Sequence, residues 1–196
     1  PGSKAAIAVD VAATQLLEGG KYVLASESRE LRAAELVDEL AVWVDDYPIV
    51  SIEDALGEDD EAGWRCATDR LVDRIQLLGD DLFVTSPERL NAGIRAGTAN
   101  AVLVKPNQVG TLCDARRVVE TAQAAGYATV LSARSGETED SWLADLAVGW
   151  RTGQLKVGST NRSERTAKWN RLLRIEAEHP EATFAGRAAL VSTRTR

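Results

Sequence analysis

The chain has 196 residues, 44% of them hydrophobic and 27% charged, which is the balance of a globular domain with a sizeable core and not of a disordered segment. A net charge of −7 argues against nucleic acid as a partner, because backbone phosphates select clustered Lys and Arg. No apolar run approaches the roughly 20 residues that cross a bilayer, and no basic-then-apolar leader opens the chain, so we expect no membrane partner and a cytoplasmic location.

In chain order, short apolar runs of strand length alternate with longer segments of helical spacing. A first strand is expected at Ala6 to Val9. Ala33, Leu36, Val37, Leu40, Ala41 and Val44 then keep an i, i+3, i+4 rhythm, the apolar stripe of a helix packed on a sheet. Strands follow at Ile49 to Ile52 and at Ile75 to Leu78. Ser86-Pro87-Glu88 predicts a helix start, with an N-cap followed by proline at the first position, and Gly97 predicts its stop. A strand at Ala101 to Val104 leads into a second clear helix carrying Leu112, Ala115, Val118, Val119 and Ala122, which Gly126 should end. Strands at Thr129 to Leu131 and around Gln154 and Leu155 complete the set. From Ala188 to Arg196 periodicity is lost, so residues 1–187 are expected to form one domain and residues 188–196 a flexible tail.

This is the pattern of βα units around a parallel sheet, an α/β class in which the six units counted fall two short of a closed eight-stranded barrel. The two cysteines, Cys66 and Cys113, lie in helix-like segments without metal-ligand spacing and are expected to be small buried apolar residues, not a disulfide or a zinc site. Methionine is absent, also from position 1, so a processed or truncated piece is expected.

The residues that follow each strand carry more information. Asp10, Glu53, Asp80, Lys105, Arg134 and Lys156 all stand at or just past the C-terminal end of an apolar run, and in a βα barrel that end is the catalytic rim. The order, three acids and then three bases, sets carboxylates beside cations around one opening. Three carboxylates from separate strands suit a hard divalent cation such as Mg²⁺, and Asp10, Glu53 and Asp80 are the expected ligands. Lys105 is the candidate general base, since crowding by the metal and Lys156 would disfavour its ammonium form. Arg134 and Ser135, in the turn Arg134-Ser135-Gly136, offer a planar fork, a hydroxyl and backbone N–H groups to a phosphate. The combination points to proton abstraction beside a metal-bound carboxylate.

The segments SIEDALGEDD (51–60), LLGDDLFVTSPERL (77–90), VLVKPNQVGTLCDA (102–115), SARSGETEDSWLADLAVG (132–149), GQLKVGSTNRSERTAKWNRLLRIE (153–176) and FAGR (184–187) resemble consecutive enolase motifs in the enolase order. The resemblance implies the (βα)₆ portion of an enolase-type TIM barrel, without the N-terminal capping domain and the first ββαα unit. It implies an Mg²⁺-dependent lyase that dehydrates 2-phosphoglycerate to phosphoenolpyruvate, a step of glycolysis. Asp10, Glu53 and Asp80 would hold the metal and Lys105 would remove the proton next to the substrate carboxylate. Lys156 would contact that carboxylate, and Arg134 with Ser135 would hold the phosphate. The implied partners are a small phosphorylated carboxylate substrate and either further copies in a homo-oligomer or a missing N-terminal part.

Two departures stand out. Where the family has a pocket histidine before the Arg-Ser pair, this chain has Ala133, and its single histidine, His179, is expected on the surface beside Pro180. The glutamates that assist departure of the hydroxide, and the mobile loops, belong to the part of the family chain not present here. Three readings stay open: an enolase, an enolase-like paralogue acting on a related phosphonate or phosphinate carboxylate, and a non-catalytic enolase-like fragment or subunit.

Overall fold

The computed structural model describes residues 5–190. Six strands form one parallel sheet: β1 (Ile7–Asp10), β5 (Ile49–Glu53), β6 (Gln76–Gly79), β7 (Ala101–Val104), β8 (Ala128–Ser132) and β9 (Gly153–Lys156), side by side in that order. The expected strands are all present, with ends shifted by a residue or two. Helices α1 (Ala33–Asp46), α2 (Glu61–Leu71), α3 (Pro87–Ala96), α4 (Pro106–Val109), α5 (Leu112–Ala124), α6 (Trp142–Gly149) and α7 (Ser163–Glu178) supply the crossovers. The start of α3 follows the expected chemistry: the Ser86 hydroxyl accepts from the Arg89 amide at 3.3 Å, and Pro87 opens the helix.

Between β1 and α1 lies an element absent from the sequence reading, a three-stranded antiparallel meander of β2 (Leu17–Glu18), β3 (Lys21–Leu24) and β4 (Arg29–Leu31). Its strands are too short for a periodicity to register. The turn Gly19-Gly20, with φ of 56° and 83°, is a backbone that only glycine enters without cost and joins β2 to β3.

Strand residues alternate between two faces, and the alternation sorts the core. Leu77, Val102, Val104 and Leu131 pack into the large cluster beneath the helices, while Leu78, Ala101, Leu103 and Val130 form a small separate cluster on the opposite face. That face is concave. Gln76 on β6 and Gln154 on β9 sit three places apart in the sheet order, yet their side-chain amides exchange hydrogen bonds of 2.8 and 3.2 Å. Only a curled sheet brings them together, so the architecture is a half-barrel with β1 and β9 at its two edges.

The expectation for the cysteines is corrected. Cys66 is half-buried and Cys113 exposed, because the apolar stripe of α5 runs through Ala115, Val118 and Val119 and turns position 113 outward. At the chain end, a 3-10 turn spans Gly186–Ala189 and the Ala189 carbonyl accepts from Gln154 at 3.1 Å, so this part packs against the barrel. Residues 191–196 of the expected tail lie outside the described residues. His179 is exposed, and no described helix is long and apolar enough to cross a membrane.

Candidate active site

The inward face of each strand continues, two residues on, to the rim. Ala8 leads to Asp10, Ser51 to Glu53, Leu78 to Asp80, Leu103 to Lys105 and Gln154 to Lys156, so parity alone aims these five side chains at the mouth of the half-barrel. Here the acids and bases interleave instead of forming separate blocks. Lys156 donates to both Glu53 oxygens at 2.8 Å and to Asp10 Oδ2 at 3.3 Å, which ties the two edge strands to β5. Lys105 donates to Asp80 Oδ2, and the two side chains are only 15% and 9% exposed.

Burial sets the electrostatics. It pushes the Glu53 carboxyl up to about 7, helped by the charges of Asp10 and Asp80 and opposed by Lys156. For Lys156, burial pulls the amine down, but the hydrogen bonds and charges of Glu53 and Asp10 outweigh it and leave it above its ordinary value.

Lys105 follows β7 directly, and its backbone N–H donates to Thr85 Oγ1 at 3.0 Å. Thr85 is fully buried, and its hydroxyl donates in turn to Gln108 Oε1 at 2.6 Å. Val84 and Thr85 hold φ of 43° and 55°, a left-handed backbone that β-branched residues rarely adopt, so strain is stored between Asp80 and α3. Arg134 and Ser135 stand in the exposed loop after β8, on the same rim. The Arg134 amide donates to Glu137 Oε1 at 3.0 Å, and neither side chain joins the carboxylate–lysine network. Ala133 is half-buried against the core, its amide bound to the Lys156 carbonyl at 2.9 Å.

Among the described residues, two groups of acidic side chains are close enough to hold a metal ion. Oxygens of Asp10, Glu53 and Asp54 lie within 4.8 Å of one another, as do those of Asp54, Asp80 and Asp81. The three ligands expected from the sequence are thus divided between the groups, and Asp54, which the sequence reading passed over, is common to both. Asp80 Oδ1 is buried without a hydrogen-bond partner, and an orphaned carboxylate oxygen of this kind fits a cation ligand. The donors are all hard oxygens, as Mg²⁺ prefers. Besides Asp54, the reading missed Thr85 and Lys168. Lys168 is fully buried on α7 and donates to the carbonyls of Thr138, in the loop that carries Arg134, and of Glu164. Only the doubled acids Glu53-Asp54 and Asp80-Asp81 offered a signal for any of these.

A parallel βα half-barrel with carboxylates and lysines converging on the C-terminal strand ends defines the class of TIM-barrel proteins that work at that rim. The family model of the enolase C-terminal TIM barrel domain matches residues 2–193, and the chain belongs to this family. Membership makes an enolase-superfamily lyase the functional class, with an acidic cluster able to hold a metal ion.

Proposed function

We propose that this chain supplies the proton-abstracting half of an enolase-type lyase that dehydrates 2-phosphoglycerate to phosphoenolpyruvate. The observation that carries this reading is the rim network, in which Asp10, Glu53 and Asp80 meet Lys105 and Lys156 at, or one residue past, the ends of five different strands. In this reading Asp10, Glu53 and Asp80 hold Mg²⁺, which when bound would stabilise the negative charge that grows on the substrate carboxylate. Lys105 Nζ takes the proton from the carbon next to that carboxylate. It lies near the tip of a buried strand whose backbone is fixed by Thr85, so its reach is well defined. Lys156 Nζ offers a second positive charge to the same carboxylate, and Arg134 and Ser135 hold the phosphate.

Departure of the hydroxide calls for an acid from an associated N-terminal part or another subunit. The edges of the sheet support this association, since among the described residues β1 and β9 each pair with one neighbour. The test is exchange of the substrate's α-proton with solvent in an assembly containing this chain. Lys105→Ala should abolish exchange while Mg²⁺ binding, followed by calorimetry, persists; exchange that survives would place the base elsewhere.

Ala133 favours a second reading, an enolase-like paralogue acting on a related phosphonate or phosphinate carboxylate, because the smaller side chain leaves room where the family has an imidazole. Ala133→His decides between them. A rise in kcat/KM for 2-phosphoglycerate of roughly one to two powers of ten supports the enolase. Negligible activity before and after the change supports the paralogue.

A further inference from the structure

Asp54 stands next to Glu53 with a left-handed backbone, φ 43°, and is 3% exposed. All of its polar groups are engaged with other parts of the chain. Its N–H donates to the Leu78 carbonyl at 2.9 Å, and its own carbonyl accepts from Ala13 N at 3.1 Å. Its side chain does the more specific work: Oδ1 accepts from the backbone N–H of Asp80 at 3.0 Å and Oδ2 from that of Asp81 at 2.9 Å. One carboxylate therefore holds two successive amides of the turn that follows β6, the turn from which the Asp80 side chain projects. An αL residue with a β-carbon is costly, and a buried carboxylate more so, so the arrangement persists only because the surroundings enforce it. Glycine would supply the same backbone without strain but could not bind the two amides.

We propose that Asp54 is a positioning residue, which fixes the β6 turn so that the free oxygen of Asp80 faces the cation site between β1, β5 and β6. It acts through Asp80. With both oxygens occupied by backbone N–H groups, it is an orienting group behind the ligands, of the kind whose loss typically costs about 10- to 100-fold in metal affinity. The inference rests on the proposal that the rim carboxylates bind Mg²⁺.

The experiment is calorimetric titration of Mg²⁺, with Mn²⁺ as a paramagnetic probe of the same site, into the full-length protein and two variants, at a temperature where circular dichroism shows each to be folded. Asp54→Gly keeps the backbone conformation and removes both acceptors; Asp54→Asn keeps the shape and one acceptor, and serves if the glycine variant does not fold. Affinity should fall at least about tenfold in Asp54→Gly and by a smaller factor in Asp54→Asn. In an Asp80→Asn background, Asp54→Asn should add no further loss, whereas a purely structural role would lower the melting temperature and leave affinity untouched. Wild-type affinity in a folded Asp54 variant, or losses that add to those of Asp80→Asn, would overturn the positioning role alone. A wild-type protein that binds no Mg²⁺ would overturn the metal reading and this inference together.

Discussion

Tyr22 is fully buried in the meander, and its hydroxyl is a junction, donating to Asp60 Oδ2 at 2.7 Å and accepting from the Gly57 amide at 2.9 Å. These bonds fasten the meander to the loop after β5. Tyr22→Phe leaves the buried Gly57 N–H unsatisfied and should lower stability by about 1–3 kcal/mol in urea unfolding. Burial, with the Asp60 charge, also raises the phenol well above its ordinary value of 10.0, against the hydrogen bond from Gly57. A raised acid contributes stability that is complete below its unfolded pKa and is lost as pH climbs toward the folded one. The wild type should therefore lose stability steeply above about pH 10, and Tyr22→Phe should flatten that slope; identical alkaline profiles would contradict this. Lys168 is the complementary case, a buried cation whose acceptors are main-chain carbonyls. Lys168→Met keeps the apolar stem but strands the Thr138 carbonyl, since that of Glu164 keeps its helical bond, and a loss of about 1–3 kcal/mol is expected together with faster amide exchange in residues 134–140.

At the scale of elements, the strand-to-helix connection after β6 shows how packing aims a rim residue. The Phe83 ring, 1% exposed, lies between Gly79 at the end of β6 and Gly93 on α3. A β-carbon at Gly93 would sit 2.5 Å from Phe83 Cε1, and one at Gly79 would sit 2.6 Å from Cδ2. Gly93→Ala must therefore push the ring, and with it the turn 80–85, at a cost of about 1–3 kcal/mol. Because the same turn presents Asp80, this change on α3 should also weaken the proposed Mg²⁺ binding, whereas Gly136→Ala, whose β-carbon meets nothing within 4 Å, should leave it unchanged. Calorimetry on the two variants checks the contrast. These glycines are plain in the sequence, but the aromatic ring they accommodate was not, because Phe83 and Gly93 meet only after α3 folds back on the sheet.

At the scale of the whole sheet, the described residues leave a protected centre and two edges without a further strand. β6 and β7 are buried along their full length, whereas β1 and β9 are largely exposed or half-buried. Hydrogen exchange should accordingly be slowest in β6 and β7 and fastest in β1 and β9. Equal protection in all six strands would show that the edges are covered in solution. The curl is bridged inside by the reciprocal amides of Gln76 and Gln154 together with Ser51, whose Oγ accepts from Gln76 at 3.0 Å. Gln154→Ala should cost about 1–3 kcal/mol by stranding the buried Gln76 side chain.

The βα alternation, the helix stripes, the start of α3 and the series of charged residues at strand ends were all legible in the sequence, because each depends on local periodicity or on the chemistry of neighbouring residues. Strand parity does the rest of that local work: once a strand is placed, the residue two beyond an inward one must also face inward. The meander escaped because strands of two to four residues carry too little period. What tertiary structure alone decided is who meets whom. That Lys156 binds Glu53 and Asp10, that Lys105 binds Asp80, and that Asp54 holds the Asp80 turn are contacts across as many as 146 positions of chain. They follow from the curl of the sheet and the strained backbone at its rim, and neither is written in the order of any single segment.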